Sequence, residues 1–164
     1  MALKRLPTPF FRVDDRLIHG QIIEGWIRVL ATTAIVVASD QIAQDPFQKS
    51  IMEMAVPEDI KLYIIPVEET AGLINELTSK GENPLTLFSS LSDAERAVDA
   101  GLRPDTLNIG AVRYSAGKRK ITSAIFLNSG EEEILLKLIR KGIKVKVQPT
   151  PKELCRDMGD LLKK

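Results

Sequence analysis

The feature that most limits what this chain can fold into is the regular turn-taking of two hydrophobic periods. Short β-branched runs stand at Ala34–Ala38 (AIVVA), Lys61–Ile65 (KLYII), 85–88 (LTLF), 106–109 (TLNI), 121–127 (ITSAIFL) and 143–147 (IKVKV), each of strand length and strand composition. Between most of them lie apolar stripes at helical spacing: Ile22, Ile23, Trp26, Ile27 and Leu30; Phe47, Ile51, Met54 and Ala55; Leu73, Ile74 and Leu77; and Ile134, Leu135, Leu138 and Ile139. These read as surface-packed helices. Asp45-Pro46 and Ser92-Asp93 punctuate helix starts, and Lys141-Gly142 a helix end. Strands separated by helices need crossover connections, which predicts an α/β fold: an open, mainly parallel twisted sheet with helices on both faces.

Two stretches depart from the alternation. The segment 110–120 (GAVRYSAGKRK) is too short for a crossover helix, so the runs on either side of it should form a hairpin or an irregular excursion. The tail 151–164 (PKELCRDMGDLLKK) puts Leu154, Met158 and Leu161 on one stripe, with Pro151 suited to a first turn, and predicts a closing helix. At 164 residues, 44% of them hydrophobic, and without an internal repeat or linker, the sequence reads as a single domain over 1–164.

Charge and composition narrow the function. Lys and Arg total 23 against 22 Asp and Glu, spread along the chain, so no electrostatic footprint for nucleic acid is present. No apolar run approaches the roughly 20 residues needed to span a bilayer, and the start MALKRLPTPFF lacks the apolar core and cleavage site of a secretory signal. A cytoplasmic protein is predicted. The single cysteine, Cys155, has no partner for an internal disulfide and is expected to be a buried or half-buried packing residue.

The segment 12–21 (RVDDRLIHGQ) gathers Arg12, Asp14, Asp15, Arg16, the only histidine, His19, and then Gly20 and Gln21. With a first strand over 9–13 and a first helix from about 19 or 20 to 30, this cluster falls in the loop at the carboxyl end of a strand. Open parallel sheets bind ligands there, where helix amino termini point free N–H groups outward. A zinc site is poorly supplied by one His and one Cys. A His–Asp acid–base pair is chemically reasonable, Asp14 or Asp15 fixing the ring, although no nucleophile elbow or Walker loop accompanies it. A third role makes the imidazole itself the acceptor of a phosphoryl group, with Arg12 and Arg16 neutralising its oxygens and the N–H groups of 18–21 binding them. Read from spacing alone, the cluster serves equally as a functional site or as an ion-pair network.

The run RVDDRLIHGQI followed by Trp26 resembles the active-site signature of the mannose/fructose/sorbose family of enzyme IIB subunits of the bacterial sugar phosphotransferase system. The likeness continues through 36–40 (VVASD), 85–90 (LTLFSS) and 108–131 (NIGAVRYSAGKRKITSAIFLNSGE), and departs at Ala111, where the family commonly carries a second glycine, and in the longer, more prolyl start MALKRLPTP. The resemblance implies an open α/β phosphocarrier with an antiparallel edge strand and no cofactor or metal. It also implies that His19 accepts phosphate from a phosphorylated IIA protein and passes it to a mannose-, fructose- or sorbose-class sugar held by IIC/IID membrane permease subunits. By motif position His19 is the phosphorylated residue and Arg16 the charge partner. Asp14, Asp15 and Arg12 orient them, and Gly20 and Gln21 bind phosphate. A regulatory phosphorelay in which no sugar is modified would use the same loop.

Asp40, Phe88, Ser89 and Arg113 follow candidate strands and are weaker candidates for the rim of the same mouth. Trp26 reads as core packing rather than a sugar platform, and 117–120 (GKRK) as a solvated loop rather than a dock for an acidic partner.

Overall fold

The structure is a computed structural model describing residues 8–164. Its main sheet takes seven strands: β1 (Phe10–Asp14), β2 (Ala34–Ala38), β3 (Lys61–Ile65), β4 (Pro84–Phe88), β5 (Thr106–Ala111), β8 (Lys144–Val147) and β9 (Arg156–Asp157). They lie in the order β3-β2-β4-β1-β5-β8-β9. All neighbouring pairs are parallel except β8–β9. The predicted fold class, including the antiparallel edge, is therefore observed. The start MALKRLPTP lies mostly outside the described residues.

Helices cover both faces because the strands alternate two sets of apolar side chains. On one face Ile35, Val37, Leu85 and Leu87 pack with Ile22, Trp26, Ile27, Leu30 and Met52. These come from a π-helical segment (Gln21–Trp26) running straight into α1 (Ile27–Leu30), and from α3 (Pro46–Ala55), which follows the short α2 (Asp40–Ala43). On the other face Val13, Val36, Phe88 and Ile109 pack with Ile74, Ala94, Leu135, Leu138 and Met158. There the helices are α4 (Thr70–Ser79), α5 (Leu91–Asp99), α6 (Ser129–Arg140) and α7 (Met158–Leu162). The chain leaving β1 thus goes to one face and the chain leaving β4 to the other, which opens a crevice at the carboxyl ends of the central strands.

Four expectations are corrected. The run 121–127 is not one strand: β6 (Arg119–Thr122) and β7 (Ile125–Leu127) pair antiparallel around Ser123-Ala124. The Thr122 hydroxyl there accepts from the Ala124 N–H at 3.2 Å and closes the turn. The tail is not one helix. Gln148 Nε2 donates to the carbonyls of Pro151 and Glu153 and holds 148–153 in a turn, β9 adds to the sheet edge, and Asp157 caps a helix that begins only at Met158. Leu154 is left exposed. Cys155 is exposed as well, because it sits in the irregular stretch between that turn and β9. Finally, α3 buries Met52 and turns Phe47, Ile51 and Met54 outward, Phe47 at 71% and Met54 at 87% exposure. Its amphipathic period is real, but the apolar stripe faces solvent.

Candidate functional site

The loop after β1 is built around one buried carboxylate. Asp14 ends β1 and is fully enclosed. Its Oδ2 accepts from Arg12 Nη2 at 3.0 Å, Arg16 Nη2 at 2.9 Å and His19 Nε2 at 3.1 Å. Its Oδ1 accepts from the backbone N–H and the Nε of Arg16, both at 3.0 Å. Burial alone would raise the carboxyl pKa; the hydrogen bonds from His19 and Arg16 and the charge of Arg12 outweigh it and hold Asp14 well below the usual carboxylate range. Arg16 is correspondingly raised by its bond to Asp14, against a smaller effect of burial.

The backbone makes this convergence possible. Leu17 adopts a left-handed conformation (φ 56°) and donates its N–H to the Asp14 carbonyl at 3.0 Å, folding the chain back so that Arg16 and His19 reach the same carboxylate. The conformation costs about 1–2 kcal/mol for a residue with a Cβ; Leu17 offsets it by burying its side chain in the core beneath the loop. Helical structure starts directly after Gly20, the His19 carbonyl accepting from Ile22 and Ile23. Gly20 has ordinary helical dihedrals and open space where a side chain would stand.

The ring of His19 is oriented as a consequence. An ionised carboxylate only accepts, so in the neutral imidazole Nε2 carries the hydrogen and Nδ1 keeps its lone pair. The N–H of Gln21 points at Nδ1 from 3.4 Å. His19 keeps 17% of its side chain exposed and Arg16 35%, while Arg12 and Asp14 keep none. The site is therefore a half-open nitrogen lone pair above a buried ionic base. Beside it opens a cavity of ≈ 380 Å³, lined in part by Arg16, Gln21, Gly110, Ala111, Arg113 and Pro149.

Arg12 lies beneath this group, wholly buried, and makes no approach to solvent. It donates to Asn108 Oδ1 and to the carbonyls of Gln148 (2.9 Å) and Pro149 (2.8 Å), and its guanidinium sits 5.0 Å from the Trp26 ring centre. Trp26 in turn stacks on Phe10 and donates its indole N–H to Pro149, so its predicted place in the core holds. Asn108 and Gly110 matter here although spacing assigned them no role. Arg12 pairs in register with Asn108. The register then slips so that Val13 faces Ile109 and Asp14 faces Ala111, leaving Gly110 as a bulge over the guanidinium, where any Cβ would overlap Arg12. The run 106–109 places Gly110 in the connecting segment; the strand instead continues to Ala111, and a glycine within a strand marks such a bulge or close approach.

Of the weaker candidates for the rim, only Arg113 lines the cavity beside the site. Asp15 turns away from His19; its Oδ2 accepts from Arg113 N at 2.7 Å and Nε at 3.2 Å. Gln21 touches the site twice, through its N–H and by accepting from Arg16 Nη2 at 3.2 Å. Asp40 instead accepts from Val67 N and pairs with Arg96, Phe88 is buried in the core, and Ser89 bonds Asp93. The 117–120 stretch is tied to α6 through Lys118–Glu131 and Arg119–Glu132 pairs.

The family model described as "PTS system sorbose subfamily IIB component" matches residues 8–164. The chain is 31% identical over 152 residues to the fructose-specific EIIB component of the phosphotransferase system of Bacillus subtilis, covering 93% of each protein. It is 29% identical to the mannose-specific EIIAB component of Escherichia coli, of whose length it spans 47%. The IIB domain of the sorbose permease from Klebsiella pneumoniae superposes with a TM-score of 0.86 at 25% identity over 94% of each chain. The chain belongs to the sorbose subfamily of phosphotransferase-system IIB components, sugar phosphotransferases of the mannose, fructose and sorbose class.

Proposed function

We propose that His19 is the phosphoryl carrier of this IIB protein and that Nδ1 is the atom that bears the phosphate. The observation that carries this reading is the 3.1 Å contact between Nε2 and the buried Asp14, which directs the nitrogen lone pair away from the carboxylate. In the forward step Nδ1 attacks the phosphorus of a phosphohistidine on a IIA protein. The N–P bond of the donor breaks, and its electron pair stays on the donor imidazole. Arg16 spends Nε and Nη2 on Asp14, while its Nη1 makes no hydrogen bond among the described residues, leaving a donor for a phosphoryl oxygen. The Gln21 N–H, only loosely engaged by Nδ1, supplies another. Transfer of this kind rests on positioning and charge stabilisation, which these groups provide.

In the second step a hydroxyl oxygen of a sugar held by IIC/IID permease subunits attacks the phosphorus, and the N–P bond breaks with its electron pair returning to Nδ1. The hydroxyl proton passes to solvent, and His19 is again neutral with its hydrogen on Nε2. The open space around Gly20 leaves room for a protein surface to approach the ring. The whole chain, 1–164, acts in this reading as one IIB domain in the cytoplasm. Arg12, Asp14 and Asp15 hold the site in shape without touching phosphate. The test is to incubate the protein with phosphorylated IIA. Acid-labile phosphate is expected on the wild type and not on His19→Ala. Label retained by His19→Ala would overturn the assignment, and transfer to sugar in permease-containing membranes tests the second step.

A further inference from the structure

The geometry points to Arg113 as a second phosphoryl-binding residue, held ready by Asp15. This inference rests on the carrier role of His19. A phosphoryl group with a second pKa near 6 carries close to two negative charges at neutral pH. Beneath it stand Arg12, Arg16 and the carboxylate Asp14, and of the two cations only Arg16 is partly exposed and able to meet that charge. Arg12 cannot turn to meet it, being sealed below the bulge at Gly110 and bonded to Asn108, Gln148 and Pro149. The remaining arginine lining the cavity beside Arg16 and Gln21 is Arg113.

Three observations fit that role better than a merely structural pair. Arg113 is 74% exposed, yet it is not free: its backbone N–H and its Nε both donate to the same oxygen of Asp15. That arrangement engages the Nε edge of the guanidinium and leaves Nη1 and Nη2 without hydrogen bonds among the described residues. Asp15 is itself fixed, its N–H bonded to the Ala111 carbonyl at 3.2 Å. Its second oxygen, Oδ1, is buried without a partner among the described residues, so the carboxylate is spent on Arg113 alone. Asp15 is then a positioning residue, which accounts for a second aspartate in the 12–21 segment that does not touch His19. In phosphorylated protein the free Nη groups of Arg113 donate to phosphoryl oxygens from the cavity it shares with Arg16 and Gln21.

The experiment follows phosphorylation by phosphorylated IIA in the wild type, Arg113→Ala, Arg113→Lys and, as a charge control on the neighbouring hairpin, Lys120→Ala. Substitution at Arg113 keeps the backbone N–H that anchors the loop to Asp15. Phosphorus NMR of the phosphorylated proteins against pH reports the second ionisation of the phosphoryl group. Arg113→Ala is expected to slow transfer about tenfold, the scale of one charge-assisted contact. It should also raise the phosphoryl ionisation midpoint, because losing a cation disfavours the dianion. Arg113→Lys should recover part of both, and Lys120→Ala should leave both unchanged. An Arg113→Ala protein that matches the wild type in rate and titration overturns the inference, as does a Lys120→Ala protein that shifts as far. If the wild type itself takes up no phosphate, the carrier reading fails first and this inference with it.

Discussion

At the residue scale the site is organised by ionisation of Asp14. The carboxylate is depressed below its usual range against the pull of burial, so the folded state is favoured whenever Asp14 is ionised. Its contribution is complete above the ordinary aspartate value of about 4 and is lost as pH falls from there toward the lower folded value. Urea unfolding of wild type and Asp14→Asn should therefore show a stability gap that is constant from pH 7 to about pH 4 and narrows below it. A gap that instead vanished on raising the pH would mean that the neutral acid is the bound form. The same substitution removes the acceptor that fixes Nε2–H, and transfer to His19 should slow by about 10–100-fold, the usual effect of losing an orienting partner. Arg16→Ala separates charge from fold: Arg16 is one-third exposed, so circular dichroism should be unchanged while transfer slows. Loss of the fold would return Arg16 to a structural network.

At the element scale the architecture was legible where one physical cause acts alone. The run AIVVA coincides with β2, because β-branched residues buried on a parallel sheet leave little alternative, and KLYII coincides with β3, a half-buried edge strand legible from strand composition. The apolar stripe of α3 was equally clear as a period but misled about burial, since period specifies a face and not what covers it; Met52 alone of that helix is buried. The hairpin at 119–127 was hidden because Thr122 and Ser123 suit strands as well as turns. Within the site, Arg16, His19 and Asp14 could be read from the segment 12–21, whereas the partners of Arg12 are carbonyls 136 and 137 residues away, and main-chain atoms carry no sequence signature. Gly110 lies between these cases. A methyl there collides with the Arg12 guanidinium, so Gly110→Ala should expel Arg12 from its slot or push β5 off β1. Trp26 reports which happens, because it lies against that guanidinium. Its fluorescence should shift and the melting temperature fall together; an unchanged spectrum with full stability would show the bulge to be more compliant than drawn.

At the scale of the whole molecule, Arg12 ties the loop after β1 to regions remote in the chain. One guanidinium joins β1, Asn108 of β5 and the 148–149 segment beyond β8, under the face of Trp26. Burial pulls its pKa down, opposed by Asp14, which is the signature of a charge kept inside for its bonds rather than for its hydration. Replacing it with an apolar side chain of similar length leaves two carbonyls, an amide oxygen and one carboxylate contact unanswered. Arg12→Met should therefore cost about 3–5 kcal/mol of unfolding free energy, as for other buried pairs broken on one side. Arg12→Lys should recover little, since an ammonium cannot address acceptors spread across a planar fork. Urea midpoints for the two variants beside Arg16→Ala give the comparison: large losses for both Arg12 variants and a small one for Arg16→Ala are expected. Should Arg12→Met prove as stable as Arg16→Ala, the loop must be held chiefly by the apolar packing of Leu17, Ile22 and Trp26, and the buried arginine would be a passenger of the motif.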